Sequence, residues 1–138
     1  MKSRLHLHTA LDGQAIVGGQ NGASVVIDGS PDVGGRLLCL AAVGCYANTL
    51  FAETVRRGIA VRSIDVDAEL EWIDHPVRAQ HVTLSVRVEA DADEPTLMEL
   101  VERADRASEV ANALRLGVAV RVAAAVCTAR HLDQTRHE

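Results

Sequence analysis

The chain has 138 residues, a length that bounds it to one domain of ordinary size. Hydrophobic residues make up 48% and charged residues 24%, close to the average of folded proteins, so neither a disordered nor a membrane-embedded chain is indicated. The net charge of -5 and the aromatic content of 2% argue against a nucleic-acid partner. Such a partner is bound by positive charge that attracts its phosphates and by aromatic side chains that stack on its bases, and the chain has little of either.

The N-terminal residues 1–8 lack the apolar core of a signal peptide, so we expect a cytoplasmic protein. Three cysteines, Cys39, Cys45 and Cys127, are too few and odd in number for a disulfide framework, and at least one is a free thiol. The longest apolar run, residues 37–47, is shorter than the roughly 20 residues that cross a bilayer. We therefore expect no membrane partner.

The first thirty residues alternate weakly between apolar and polar and contain several glycines. This pattern predicts short strands joined by turns, with Val25–Ile27 in one of the strands. Pro31 and the pair Gly34-Gly35 then precede a long predicted helix over residues 36–57, which ends at Gly58. Residues 37–46 leave almost no polar face on this helix. Such a helix is normally surrounded by protein.

Two later segments, residues 64–72 and 82–90, alternate apolar and polar residues with a period of two. A turn around residues 74–76 separates them, which predicts an antiparallel hairpin. Its outward face carries four carboxylates in a line: Asp65, Asp67, Glu69 and Glu71. Because these lack the convergent oxygens of a cation-binding loop, we interpret them as a solvated surface.

The segment Thr96–Glu99 has the pattern of a capping box that opens a helix, and a further helix is predicted over residues 109–116, ended by Gly117. Alternating residues from Val118 to Val126 predict a final strand, and residues 130–138 a frayed tail. The fold class is therefore α+β, a single domain over residues 1–138 in which an antiparallel sheet packs on a long central helix.

Two segments resemble the OsmC/Ohr family, the osmotically inducible and organic-hydroperoxide-resistance proteins. Residues 37–50, LLCLAAVGCYANTL, resemble the family's central helix, and residues 110–115, VANALR, resemble the segment after its second cysteine. The resemblance covers residues 15–126. It implies the OsmC-like fold, an intertwined homodimer, and thiol-dependent reduction of organic hydroperoxides in oxidative stress defence, with no cofactor.

The same resemblance assigns roles to individual positions. Cys45 falls on the peroxidatic cysteine, whose thiolate attacks the hydroperoxide. Ser108 stands where the family has its resolving cysteine, Gln20 where the Ohr branch has an activating arginine, and Gly35 where that arginine's glutamate partner lies. A serine cannot form the disulfide, so Cys45 would work as a single peroxidatic cysteine whose sulfenic acid an external thiol reduces.

Leu38, Ala42 and Phe51 are expected to line an apolar pocket that favours alkyl or lipid hydroperoxides over hydrogen peroxide. An alternative stays open. Without an arginine, a thiol in aliphatic surroundings has its pKa raised by desolvation, and little thiolate would exist at neutral pH. The chain would then be a non-catalytic OsmC-fold dimer that binds a small apolar ligand.

Other candidate groups have simpler interpretations. Cys39 precedes Cys45 by six residues on one helix, about 9 Å along the axis, which excludes a disulfide between them while the helix is intact. Arg115 could replace the missing activating cation, although a salt bridge at a helix end is the simpler interpretation. His6 and His8 would share one face of a strand, but two ligands do not make a metal site, so none is expected.

Overall fold

The computed structural model describes residues 6–9, 15–18, 24–27 and 33–128. The three short N-terminal segments are strands β1 (His6–Thr9), β2 (Ala15–Gly18) and β3 (Ser24–Ile27). They pair antiparallel in the order β1-β2-β3, which confirms the prediction of short strands in the glycine-rich segment. Gln20 and the predicted tail over residues 130–138 lie outside the described residues.

Helix α1 (Val33–Arg56) is the long central helix. It begins before its predicted start at Arg36, so Gly34 and Gly35 lie in its first turn and not in the loop that precedes it. Its end is as predicted, because Gly58 has a φ of 68°, a left-handed conformation that glycine adopts without a steric penalty.

Strands β4 (Val61–Ile73) and β5 (Arg78–Ala90) form the predicted antiparallel hairpin. Asp65 lies directly opposite Arg87, which places an acidic and a basic side chain together on the exposed face. The other face carries the half-buried apolar side chains. The hairpin packs with this apolar face against α1.

Helices α2 (Glu94–Ala107) and α3 (Glu109–Leu116) follow, separated by Ser108 alone. The predicted capping box at Thr96 is wrong: the N-cap is Asp93, whose carboxylate accepts a hydrogen bond of 2.9 Å from the amide of Thr96. Pro95 fits inside this first turn because a proline there gives up no helical hydrogen bond. Gly117 ends α3 with a φ of 77°, as predicted.

The buried core lies where α1 meets α2 and the hairpin. Tyr46 and Leu50 of α1 are buried together with Leu100 and Ala104 of α2. The hydroxyl of Tyr46 also donates a hydrogen bond of 3.0 Å to the carbonyl oxygen of Val101. Half-buried side chains complete the core: Ile59, Ile64, Val66, Leu84, Val86, Val88, Leu97 and Val101. Helices on one antiparallel hairpin confirm the predicted α+β class.

Two predictions are wrong, one about a final strand in the C-terminal segment and one about the burial of α1. The predicted final strand is wrong: residues 117–128 form no strand, and Val120 and Val126 are 93% and 95% exposed. An alternating segment needs a neighbouring strand to satisfy its backbone, and no described strand lies beside this one. Nor is α1 surrounded by protein on all sides, because Phe51 and Val55 are more than half exposed.

By length and composition alone, α1 could cross a bilayer. A core helix passes the same test, however, and α1 contacts α2, α3 and both strands of the hairpin. The apolar character of its inner face is therefore explained by burial of Ala42, Tyr46 and Leu50 within the protein.

Candidate functional site

The candidate site lies where the middle of α1 meets the beginning of α3. Cys45 directly precedes the buried Tyr46, so the core fixes its backbone, and its own side chain is only partly buried. Ser108, the single residue between α2 and α3, is fully buried. Its hydroxyl donates a hydrogen bond of 3.5 Å to the sulfur of Cys45. Two residues 63 positions apart in the sequence thus meet at one sulfur.

The surroundings lower the pKa of the Cys45 thiol. Desolvation by burial acts to raise this pKa, but hydrogen bonds from the Ser108 hydroxyl, the Val110 and Glu109 amides and Thr49 outweigh it. The Thr49 contribution is the smallest, and its hydroxyl donates its proton to the Cys45 carbonyl oxygen over 2.8 Å. The expected rise of the pKa is therefore wrong: donors to the anionic sulfur outweigh its desolvation.

These donors are neutral, and the candidate cation, Arg115, is paired with a carboxylate. Arg115 forms an ion pair with Asp105 and donates a hydrogen bond of 3.3 Å to the side-chain oxygen of Asn112. The interpretation of Arg115 as a salt-bridge residue is thus confirmed. Its guanidinium is not among the groups that shift the pKa of Cys45.

At Gly35, where the resemblance places the family's glutamate, the Trp72 side chain fills the space that a side chain would need. A Cβ atom added at Gly35 would lie 2.9 Å from Cζ2 of Trp72, at the end of β4. A longer side chain would therefore require the indole to move. The departure from the family pattern at Gly35 is consequently built into the packing between α1 and the hairpin.

A cavity of about 310 Å³ opens between α1, β5 and α3. Leu38 and Ala42, both expected in the pocket, line it, whereas Phe51 does not and is 52% exposed. The remaining lining comes from two elements: Ala79, Gln80, His81, Val82 and Leu84 of β5, and Ala111, Leu114 and Arg115 of α3. Ala42 lies one helical turn from Cys45 and Ala111 one turn from Ser108, and neither Cys45 nor Ser108 lines the cavity itself.

Sequence reasoning missed the backbone donors of α3. A helix over residues 109–116 was predicted, and the first amides of any helix lack partners within it. That signal could have identified Glu109 and Val110 as anion-binding amides next to Ser108. What the sequence could not supply is the packing of α3 against α1, which brings these amides to Cys45.

The other cysteines are separate from this site. Cys39 is a free thiol on the same helix, and the helix is continuous between it and Cys45. Cys127 is free and exposed in the C-terminal segment. Within the part of the chain that the structure describes, three or more histidine, cysteine or carboxylate side chains never cluster as a metal site would require. The site is thus a single thiol held by neutral donors.

The sequence matches the family model described as OsmC-like protein over residues 34–123, most of the chain from α1 onward. The chain belongs to the OsmC-like family. The resemblance found in residues 37–50 and 110–115 is thereby confirmed, since both segments lie inside the matched range. A search of curated proteins finds no significant match.

Solved structures share this OsmC-like fold. An OsmC-like protein from Mycoplasma pneumoniae superposes with a TM-score of 0.72 at 11% identity, covering 83% of this chain and 88% of that one. The organic hydroperoxide resistance protein OhrB of Bacillus subtilis gives a TM-score of 0.55 at 16% identity, covering 83% and 91%. An organic hydroperoxide resistance protein OsmC from Legionella pneumophila gives 0.54 at 14%, covering 83% and 90%.

Proposed function

We propose that this OsmC-like protein reduces organic hydroperoxides through Cys45 alone, as part of oxidative stress defence. The observation that carries the proposal is the hydrogen bond of 3.5 Å from the buried Ser108 hydroxyl to the Cys45 sulfur, at a site where the thiol pKa is lowered. A lowered pKa increases the fraction of thiolate, which is the nucleophilic form of cysteine. Membership of the OsmC-like family and the hydroperoxide resistance of two structural neighbours support the same chemistry.

The reaction begins with attack of the Cys45 thiolate on the terminal oxygen of the hydroperoxide. An S–O bond forms, the O–O bond breaks, and the leaving alkoxide takes a proton to become an alcohol. Sulfur is oxidised by two electrons to a sulfenic acid. Ser108 offers no thiol to capture it, so an external thiol attacks the sulfur, releases water, and leaves a mixed disulfide that a second thiol reduces.

The cavity fits the organic part of such a substrate. Leu38, Ala42 and Leu114 supply apolar surface to this cavity, and its volume of about 310 Å³ is at the small end of the range for ligand pockets. An alkyl group would displace water from these side chains, whereas hydrogen peroxide has no apolar part to bury. The same cavity suits a bound apolar ligand without chemistry, but the donors aimed at the sulfur favour a reacting thiolate.

We also propose that the protein works in the cytoplasm, where thiol reductants are abundant. It would do so as a homodimer. The exposed apolar side chains of α1 support association with a second copy, because a face of this kind is normally covered by protein.

Sulfenic acid trapping tests the proposal. The wild type and Cys45→Ser would be treated with cumene hydroperoxide in the presence of dimedone, and labelled peptides identified by mass spectrometry. We expect dimedone on the Cys45 peptide of the wild type and none on the corresponding peptide of the variant. Hydrogen peroxide at the same concentration should label the wild type more slowly.

Cys39→Ser is the matched control, since it removes a cysteine of the same helix and should leave the labelling of Cys45 intact. Consumption of cumene hydroperoxide would be followed in parallel under excess dithiothreitol. Absence of dimedone at Cys45 in the wild type, together with no consumption of hydroperoxide, would exclude the peroxidase and favour the ligand-binding alternative.

A further inference from the structure

Ser108 occupies a helix N-cap but does not cap the helix with its side chain. A serine at this position ordinarily accepts a hydrogen bond from one of the first amides of the helix. Here the side chain makes no capping bond to α3. The hydroxyl instead points at α1 and donates to the sulfur of Cys45 over 3.5 Å. Because Ser108 is fully buried, water does not compete for this hydroxyl.

The amides that the serine leaves uncapped serve the same sulfur. Glu109 and Val110 provide the first two N–H groups of α3, and both amides act to lower the pKa of the Cys45 thiol. These groups carry the positive end of the helix dipole, which stabilises an anion placed against them. The Ser108 hydroxyl thus contacts the sulfur directly, and the two neutral amides that follow it favour the anionic form of the same thiol.

We propose that Ser108 is a positioning residue that activates Cys45: its hydroxyl and the uncapped start of α3 hold the thiolate in place of an arginine. If Ser108 turned its side chain toward α3, it would lose its bond to sulfur and compete for the amides. The inference takes Cys45 from the proposed function as the reacting thiol, but the activation it describes exists before any hydroperoxide is present.

The pH dependence of alkylation tests this activation without any peroxidase assay. Iodoacetamide would be applied across a pH series, and the modification rate of the Cys45 peptide followed by mass spectrometry. Ser108→Ala should raise the midpoint by about one to two pH units, from the usual strength of a hydrogen bond to a charged group. Ser108→Thr retains the hydroxyl and should keep the midpoint near that of the wild type. Ser63→Ala, in β4, is the matched control and should change nothing.

A structural role alone would lower stability without moving the midpoint, so an unchanged midpoint in a folded Ser108→Ala protein overturns the inference. Titration of the wild type by amide NMR needs no variant at position 108. The Glu109 and Val110 amide resonances should shift with the midpoint measured by alkylation, and these shifts should vanish in Cys45→Ala. Amides that do not respond to the titration of Cys45 would also overturn it. Failure of dimedone trapping in a wild type whose alkylation midpoint is lowered, and is raised by Ser108→Ala, would count against the peroxidase and leave the activation standing.

Discussion

At the scale of single residues, the site brings the Ser108 hydroxyl into direct contact with the Cys45 sulfur. The Ser108 oxygen lies 3.5 Å from the Cys45 sulfur, so a sulfur at position 108 would need only a small side-chain movement to reach bonding distance. The substitution of serine for cysteine thus changes the chemistry at this position without separating the two side chains.

Ser108→Cys should therefore convert the protein to a two-cysteine enzyme. After one equivalent of cumene hydroperoxide, we expect a disulfide between positions 45 and 108, since the sulfenic acid at Cys45 is attacked by the neighbouring thiol faster than dimedone traps it. Peptide mapping without reduction would detect the bond. Ser63→Cys is the control and should leave Cys45 open to dimedone. Persistent labelling of Cys45 in Ser108→Cys would show that the two positions do not meet in solution.

The lowered pKa of Cys45 also sets a direction for the activity. Below this pKa the thiol is protonated and a poor nucleophile; above it, the thiolate predominates. We expect the rate of sulfenic acid formation to fall with acidification through the lowered pKa and to level off above it. Stopped-flow consumption of cumene hydroperoxide across a pH series would measure this profile. A rate that keeps rising beyond the ordinary pKa of a free cysteine, about 8.5, would contradict an activated thiol.

At the scale of elements, the contact between α1 and α2 holds the site in shape. Leu100 of α2 is fully buried against Tyr46 and Leu50. Leu100→Ala should lower the free energy of unfolding by about 2–5 kcal/mol, because it removes apolar contacts and leaves a cavity. Urea unfolding followed by far-UV circular dichroism would measure the loss. Met98→Ala, on the same helix but 53% exposed, should cost far less. Equal losses in the two variants would place the core elsewhere.

Tyr46 tests the polar part of the same contact. Tyr46→Phe keeps the buried ring but removes the hydrogen bond to the Val101 carbonyl oxygen. We expect a loss of about 1 kcal/mol in the free energy of unfolding, the usual net value of such a bond. The same urea experiment measures it. A loss as large as that of Leu100→Ala would mean that the ring itself had been displaced.

The sequence predicted those elements whose signals are local. The period-two alternation of β4 and β5 and the Gly58 stop of α1 depend on the chain itself, and these predictions are confirmed. The start of α2 was misplaced because Thr96 and Asp93 are both good N-caps, and only the side-chain geometry distinguishes them. Likewise, the expected pKa rise of Cys45 followed from the loss of an arginine, whereas the compensating donors come from the packing of α3 on α1.

At the scale of the whole molecule, α1 presents an open apolar stripe formed by Leu40, Phe51 and Val55. These positions are separated by eleven and four residues, which places them on one face of the helix, and each is at least 52% exposed. A second copy of the chain would cover this face, as the proposed homodimer requires. This stripe is distinct from the buried face of α1, which carries Ala42, Tyr46 and Leu50.

Phe51→Glu should therefore dissociate the protein. A carboxylate in an apolar interface loses its hydration without gaining a partner, which is unfavourable by several kcal/mol. Light scattering at micromolar concentration should give a dimer mass for the wild type and a monomer mass for the variant. Met98→Glu makes a comparable change on exposed α2 surface and should remain dimeric. A folded wild type with a monomer mass would end the proposal of a homodimer.

The C-terminal segment gives the assembly a second test. Residues 118–126 alternate apolar and small or basic residues as a strand would, yet they pair with no described strand, and Val122 is 85% exposed. We expect association to cover these valines and to shield the neighbouring amides from solvent. Hydrogen exchange at these amides should then be at least about tenfold slower in the wild-type dimer than in the Phe51→Glu monomer. Core amides of α2 serve as the internal control, because both proteins should protect them. Equally fast exchange at residues 118–126 in a proven dimer would mean that this segment stays outside the interface, and that the α1 stripe alone forms it.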